Sequence, residues 1–161
     1  MAQTDQRAVP LWLIVVFALA VIMRILSHHA ATAPRSHESL VTWVPLAAST
    51  QRASAQNKPI FYEFSADWCG PCQRMEKEVF NDAELAARIN QRLVPVHVID
   101  RQQEDGRNAP EIESLQERYN VHAFPTIVIA DASGRQLARM EGFGGRDQFE
   151  EEMKKFLEDR P

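Results

Sequence analysis

The 161-residue sequence predicts an α/β domain built on a mixed sheet with helices on both faces, preceded by one N-terminal hydrophobic segment. Three observations carry that prediction. Apolar β-prone runs and segments of helical period follow one another as strand, helix, strand, helix, strand, strand, helix. A crossover unit followed by a hairpin makes a sheet with both parallel and antiparallel pairs. The only two cysteines, Cys69 and Cys72, stand between a strand and a helix, and Leu11 to Met23 is unbroken apolar sequence ahead of the domain.

Residues 1–26 read as a signal anchor or a signal peptide. The apolar run fits a signal-peptide core, whereas a full span needs about 20 residues. Counting from Ala8 to Leu26 lengthens it, with Arg24 near one end and able to reach the interface. Ala31-Thr32-Ala33 offers a small-residue cleavage site, but Pro34 follows it and the apolar run ended well before. The length favours an uncleaved anchor inserted through residues 9–26. Arg7 against Arg24 and Arg35 favours a cytoplasmic domain by the positive-inside rule. Residues 27–40 are small and polar, and read as a tether. His28, His29 and His37 lack Cys or carboxylate partners at ligand spacing, so no metal is expected there.

The domain begins at Val41-Thr42-Trp43-Val44, expected as a short strand. Pro45 to Asn57 is a modest helix that Lys58-Pro59 ends. Ile60 to Ser65 is the central strand. Behind the cysteines, Met75, Val79 and Phe80 recur at helical spacing. Asn81 is the expected cap of a helix whose apolar face is Leu85, Ala86 and Ile89. Leu93 to Ile99 reads as a buried strand in which Pro95, having no N–H, predicts a bulge or an irregular start. Asp100 to Pro110 is a charged loop, and Ile112, Leu115 and Tyr119 mark a helix. Ile127-Val128-Ile129 is a strand. Asp131 to Gly134 is a turn into a hairpin strand, Arg135 to Met140. Phe149, Met153, Phe156 and Leu157 line a final helix.

The cysteine pair reads as a dithiol/disulfide redox site. Only the thiolate attacks a disulfide, so one sulfur must ionise near neutral pH. At a helix N-terminus Cys69 would meet unpaired N–H groups and the positive end of the dipole, worth roughly 0.3–2 kcal/mol. Cys72, one turn on and expected to be the more buried, would resolve the mixed disulfide by attacking Cys69. Pro71 fits the first turn, which has no acceptor for its missing N–H. A zinc site needs four ligands, and no second Cys pair or closely spaced His pair completes one. A c-type haem site needs His after the second Cys, where Gln73 stands. A structural disulfide closing so short a loop would stabilise little. The net charge of −4 and pI near 5.7 give no sign of a nucleic-acid partner.

Trp68-Cys69-Gly70-Pro71-Cys72 matches the thioredoxin active-site signature residue for residue. With Lys58-Pro59, Phe64-Ser65-Ala66-Asp67, Met75-Glu76-Lys77-Glu78-Val79-Phe80 and Phe124-Pro125-Thr126, the chain resembles the thioredoxin-like domains of membrane-anchored bacterial thiol:disulfide interchange proteins. The resemblance implies a thioredoxin fold over residues 41–161, with Cys69 and Cys72 catalytic and Trp68, Gly70 and Pro71 supporting them. It implies that Pro125 is cis and that Phe124, Pro125 and Thr126 bind substrate backbone. It also implies a domain facing the periplasm, tethered to the inner membrane or secreted after cleavage, against the charge rule. The Asp–Pro loop 100–110 is longer than thioredoxin normally has there.

Two departures stand out. Thioredoxins keep a buried Asp beneath the second cysteine, and Glu63 occupies that position, where a carboxyl group could relay a proton to or from Cys72. The neighbouring Lys of thioredoxins falls at Val96. His97 is expected on the opposite face, with a structural role. The expected function is a protein-disulfide reductase that needs no cofactor, acts on disulfide-containing proteins and is itself reduced by a thiol-donating protein. Gly70-Pro71 resembles the dipeptide of reducing members. A disulfide oxidase or isomerase, and a non-catalytic peptide-binding adaptor or holdase on the same fold, are the alternatives.

Overall fold

The structure is a computed structural model that describes residues 11–31 and 39–158. The chain forms two units, 1–37 and 38–161. In the first, helix α1 runs Leu11–Ala31, through the start of the expected tether. Large apolar side chains from Trp12 to Met23 are exposed on it. Among the described residues no helix is long and apolar enough to cross a membrane. The side chains of His28 and His29, and all of His37 and Arg7, lie outside the described residues.

The second unit holds a four-stranded sheet in the order β2-β1-β3-β4, formed by β1 (Ile60–Ala66), β2 (Val94–Asp100), β3 (Thr126–Ala130) and β4 (Gln136–Glu141). β1 runs parallel to β2 and antiparallel to β3, and β3 and β4 form the hairpin. This is the mixed sheet expected. Every residue of β1 is buried, because both its faces are covered.

Alternate residues divide the core between those faces. Phe61, Ile127 and Ile129 pack on one side with Met75, Val79 and Phe80, with Leu85 and Ile89 of α4 (Ala83–Arg92), and with Phe149 and Met153 of α7 (Arg146–Glu158). Ile60, Tyr62, Phe64 and Val128 pack on the other. There they meet Ala53 of α2 (Leu46–Gln56) and Ile112 and Leu115 of α6 (Pro110–Arg118). Helix α3 (Gly70–Met75) runs directly into a π-helical segment, Glu76–Phe80. Met75, Val79 and Phe80 come together in the core across this junction.

Four expectations fail in instructive ways. Residues 41–44 form no strand. Only Val44 N–H reaches the outer edge of β2, donating to Pro95 C=O at 2.8 Å. Pro95 has no N–H to return, so a ladder cannot grow there. β2 shows no bulge either: its pairing with β1 is continuous from Val94 to Asp100. Since Pro95 C=O points to the outer edge, so does its nitrogen, and no bond to β1 is lost. The cap of α4 is Asp82, not Asn81; its carboxylate accepts N–H groups from Glu84 and Leu85 at 3.1 and 3.0 Å. Finally, the charged loop is built around a short helix, α5 (Gln102–Asp105), and a buried Asn108. Asn108 Nδ2 donates to Asp100 Oδ2 at 2.6 Å, and Gln116 Nε2 donates to the same oxygen at 2.9 Å. Burial works against the Asp100 carboxylate, but these donors and the Gln102 N–H hold its pKa below the usual range.

Candidate active site

The central strand ends at Ala66, and the chain turns through Asp67 and Trp68 into α3. Cys69 is the N-cap of that helix, and its Sγ accepts the Cys72 N–H at 3.2 Å. Pro71 sits in the first turn, where no acceptor waits for its nitrogen. Cys69 and Cys72 are joined as a disulfide with Cα atoms 5.3 Å apart. Both are buried, at 2% and 6% exposure, so Cys72 is not the more buried of the two as expected. Cys69 is enclosed because it lies under the turn, packed with Ala66 and Phe124.

Trp68, Gly70 and Pro71 form an exposed rim, with Trp68 50% accessible. A Cβ added at Gly70 would meet no heavy atom within 4 Å, so close packing does not require glycine there. The Trp68 ring meets Phe124 edge to face, centroids 6.0 Å apart. The Phe124–Pro125 bond is cis. Thr126 is wholly buried, its hydroxyl donating to Ala123 C=O at 2.8 Å, and Pro125 C=O accepts the Gly142 N–H at 2.8 Å. The loop 123–126 is thereby pinned from both sides against the dithiol. An open hollow of ≈ 600 Å³ adjoins it, lined by Trp68, Phe124, Val121, His122, Gln102 and Gln116 among others. The structure thus brings Trp68, Cys69, Cys72 and Phe124 together, with Gly70 and Pro71 on the rim.

Glu63 lies deeper, 1% exposed, on the side of the sheet that Phe61 shares with Met75 and Val79. That is the face α3 covers. His97 is where the sequence expectation fails. It pairs in register with Glu63 across the parallel strands, and register partners share a face. Its Nε2 comes within 2.9 Å of Glu63 Oε2 and within 2.9 Å of Ser65 Oγ. The approach to Oε2 lacks the alignment of a hydrogen bond and leaves that buried oxygen without one. The His97 ring also lies against Trp43, centroids 5.0 Å apart. Burial opposes the imidazolium, but Glu63 first, then Glu76 and Asp67, outweigh it and raise the His97 pKa. Val96, at the lysine's expected place, faces the opposite core as the partner of Tyr62. The sequence carried no signal for this pairing: strands begun at Ile60 and Leu93 set Glu63 beside Val96, and only the observed start of β2 at Val94 sets it beside His97.

Among the described residues no three His, Cys, Asp or Glu side chains gather to hold a metal ion. The chemistry available is that of one disulfide or dithiol, with one buried carboxyl group and one imidazole behind it.

Comparison with known proteins agrees with that chemistry. A family model described as a thioredoxin-like domain matches residues 46–157. The thiol:disulfide interchange protein DsbD of Yersinia pestis (strain Pestoides F) is 32% identical over 99 residues, 60% of this chain and 16% of that protein. The disulfide bond reductase DsbH of Chlamydia pneumoniae is 29% identical over 101 residues, 61% of each chain. A solved DsbH oxidoreductase superposes with a TM-score of 0.65 at 26% identity, covering 80% of this chain and 92% of that one. This chain therefore spans about one sixth of the DsbD relative and three fifths of the DsbH relative. By its matching domain, its fold and its Cys69–Cys72 pair, it belongs to the thioredoxin-like family, as a homologue of thiol:disulfide interchange proteins.

Proposed function

We propose that this chain is a protein-disulfide reductase acting on exported proteins. The observation that carries the reading is Cys69 Sγ seated as the cap of α3, taking the Cys72 N–H beneath an exposed rim. A thiolate at Cys69 is favoured there by the amide and by the helix dipole, and a thiolate is the attacking species. Cys69 attacks one sulfur of the substrate disulfide and the other sulfur departs as a thiolate. Cys72, losing its proton towards Glu63, attacks Cys69 Sγ and expels the second substrate thiolate. Two electrons pass to the substrate, and the chain is left with the disulfide bond present here. A dithiol donor protein must then reduce it by the same exchange in reverse.

Phe124, Pro125 and Thr126 would hold an extended stretch of substrate by main-chain pairing beside the dithiol. Trp68 would cover the sulfur. Gly70-Pro71, the dipeptide resembling that of reducing members, supports the direction. Disulfides form in oxidising compartments, so a reductase for exported proteins belongs in the periplasm. The exposed apolar side chains of α1 support an inner-membrane anchor through residues 9–26. Secretion after cleavage is the alternative.

The reduction potential tests the direction. Equilibrating the protein against dithiothreitol or glutathione buffers is expected to give a value near thioredoxin's, about −270 mV. A value near −120 mV, where strong oxidants lie, would make it a disulfide donor and overturn the reading. A Cys72→Ala chain is expected to accumulate mixed disulfides with its substrates. A Cys69→Ser chain that keeps full activity would point to a non-catalytic peptide binder instead.

A further inference from the structure

We infer that His97 is the proton exit of this site: the proton that Cys72 gives up in the resolving step passes through Glu63 to the His97 imidazole and from there to water. The inference rests on the proposed exchange reaction and deepens it. Its starting point is a topological difficulty. Glu63 is 1% exposed, so a proton it accepts has no direct way out. When the disulfide is reduced again Cys72 takes a proton back, so the route that serves Glu63 carries protons in both directions.

The only basic group set against Glu63 by the sheet register is His97, and its Nε2 stands 2.9 Å from the otherwise unbonded Oε2. The His97 side chain is 22% exposed against 2% for Glu63, so the pair leads from the interior to the surface. Ser65 Oγ, 2.9 Å from the same nitrogen, fits both protonation states. It donates to Nε2 when the ring is neutral and accepts from Nε2–H when the ring is charged. A histidine both takes and gives a proton near neutral pH, which a lysine with its ordinary pKa does not. Among the described residues, the charged groups acting most strongly on His97 are Glu63 from β1, Glu76 from the π-helical segment and Asp67 from the loop after β1. All three are acidic, and Trp43, the ring packed on it, does not titrate.

The proton balance closes. Cys72 S–H gives its proton to the Glu63 carboxylate and the thiolate attacks Cys69. Glu63 O–H hands the proton to Nε2 of the neutral imidazole, and the imidazolium releases a proton to solvent. His97 thus acts through Glu63 without touching the reacting sulfurs, and is a positioning and proton-carrying residue.

The test separates attack from resolution in the full chain. Cys69 alkylation in the reduced protein reads the first; release of substrate thiol from a preformed mixed disulfide, followed against pH, reads the second. The wild-type resolving rate is expected to rise with pH through a transition set by His97. His97→Gln is expected to slow resolution about tenfold or more above that transition and to remove it from the profile, with Cys69 alkylation unchanged. An unchanged resolving rate and profile would overturn the inference while leaving the reductase reading intact. Equal losses in alkylation, resolution and thermal stability would also overturn it, by making His97 merely structural. An NMR titration of His97 in the wild-type chain needs no variant. Its curve is expected to differ between the oxidised and reduced states, and the same curve in both would sink the idea. Should the wild-type chain exchange no disulfides at all, the proposed function fails and the proton exit falls with it.

Discussion

Glu63 is a liability to the fold that the proposed proton transfer would explain. Its carboxyl group is withdrawn from water in the middle of a strand whose neighbours are Phe61, Tyr62 and Phe64, and one of its oxygens has no aligned hydrogen bond. A buried ion pair is often no more stabilising than apolar side chains of the same volume. Glu63→Leu fills the same space, and the His97 left behind keeps Ser65 Oγ as a hydrogen-bond partner and a partly exposed ring. This variant is expected to be more stable than the parent by about 1–4 kcal/mol in urea unfolding of the oxidised chain, while resolving mixed disulfides more slowly. A loss of stability would mean that the carboxyl group is structural. His97 adds a pH signature of its own. Its pKa is raised in the fold, so its contribution is complete below about pH 6.5, the ordinary histidine value. That contribution is lost as pH rises through the raised value. The urea midpoint of the oxidised wild-type chain is therefore expected to fall across that window, and to stay flat there in His97→Gln. Oxidised protein is the right material, since disulfide-bonded cysteines do not titrate.

Loop 101–109 shows how an element that looks featureless in sequence can be held as firmly as a helix. Asn108 is buried and bonds in two directions, Nδ2 to Asp100 Oδ2 and Oδ1 to the Arg101 N–H at 2.7 Å. Arg101 in turn reaches Asp67 at 3.3 Å, beside Trp68. That surface ion pair is worth little alone, but the clasp fixes the backbone that carries it. Asn108→Ala is expected to cost about 2–3 kcal/mol, because it leaves a buried carboxylate short of a donor. Trypsin should then cleave faster at Arg101 or Arg107, and an unchanged cleavage pattern would show the clasp to be idle. The same region marks the limit of what the sequence could tell. The dithiol site was legible because its spacing, its preceding strand and its following helix are all local. The mixed sheet with helices on both faces followed from periodicity and connection rules. Asn108 was not legible, since its partners Asp100 and Gln116 meet only once α5 and α6 are placed. His97 was misread because counting residues along one strand says nothing about register with the next. Asn81 and Asp82 are both good caps, and only the helix start, moved by the π-helical segment, chooses between them. Val41–Val44 has strand composition, but Pro95 removes the edge that it would need.

That stretch nevertheless belongs to the folded unit, and it defines where the unit can be cut. Leu40 N–H donates to Phe80 C=O at 2.9 Å. Asn90 holds the stretch from the side: its Oδ1 accepts the Thr42 N–H at 2.8 Å and its Nδ2 donates to Leu40 C=O at 3.0 Å. Val41 and Val44 are buried on opposite faces of the sheet, and Trp43 stacks edge-on against Phe80 with centroids 5.0 Å apart. The strap thus closes the outer edge of β2 and covers the ring of His97, which ties the stability of the edge to the chemistry behind the dithiol. Two truncations separate the strap from what precedes it. Removing residues 1–37 takes away only the first unit, and is expected to leave the unfolding free energy within about 0.5 kcal/mol of the full chain and the exchange rate unchanged. Removing residues 1–44 exposes the sites of two buried valines, each worth about 1.5–3 kcal/mol, and strips Asn90 of both partners. A loss of at least about 3 kcal/mol is expected, along with a resolving step altered by the uncovering of His97. If both truncations unfolded at the same urea concentration, the strap would be an ornament and the boundary of the domain would lie after it. If the shorter truncation alone lost stability, contacts made by residues before Glu38 would have to be part of the fold.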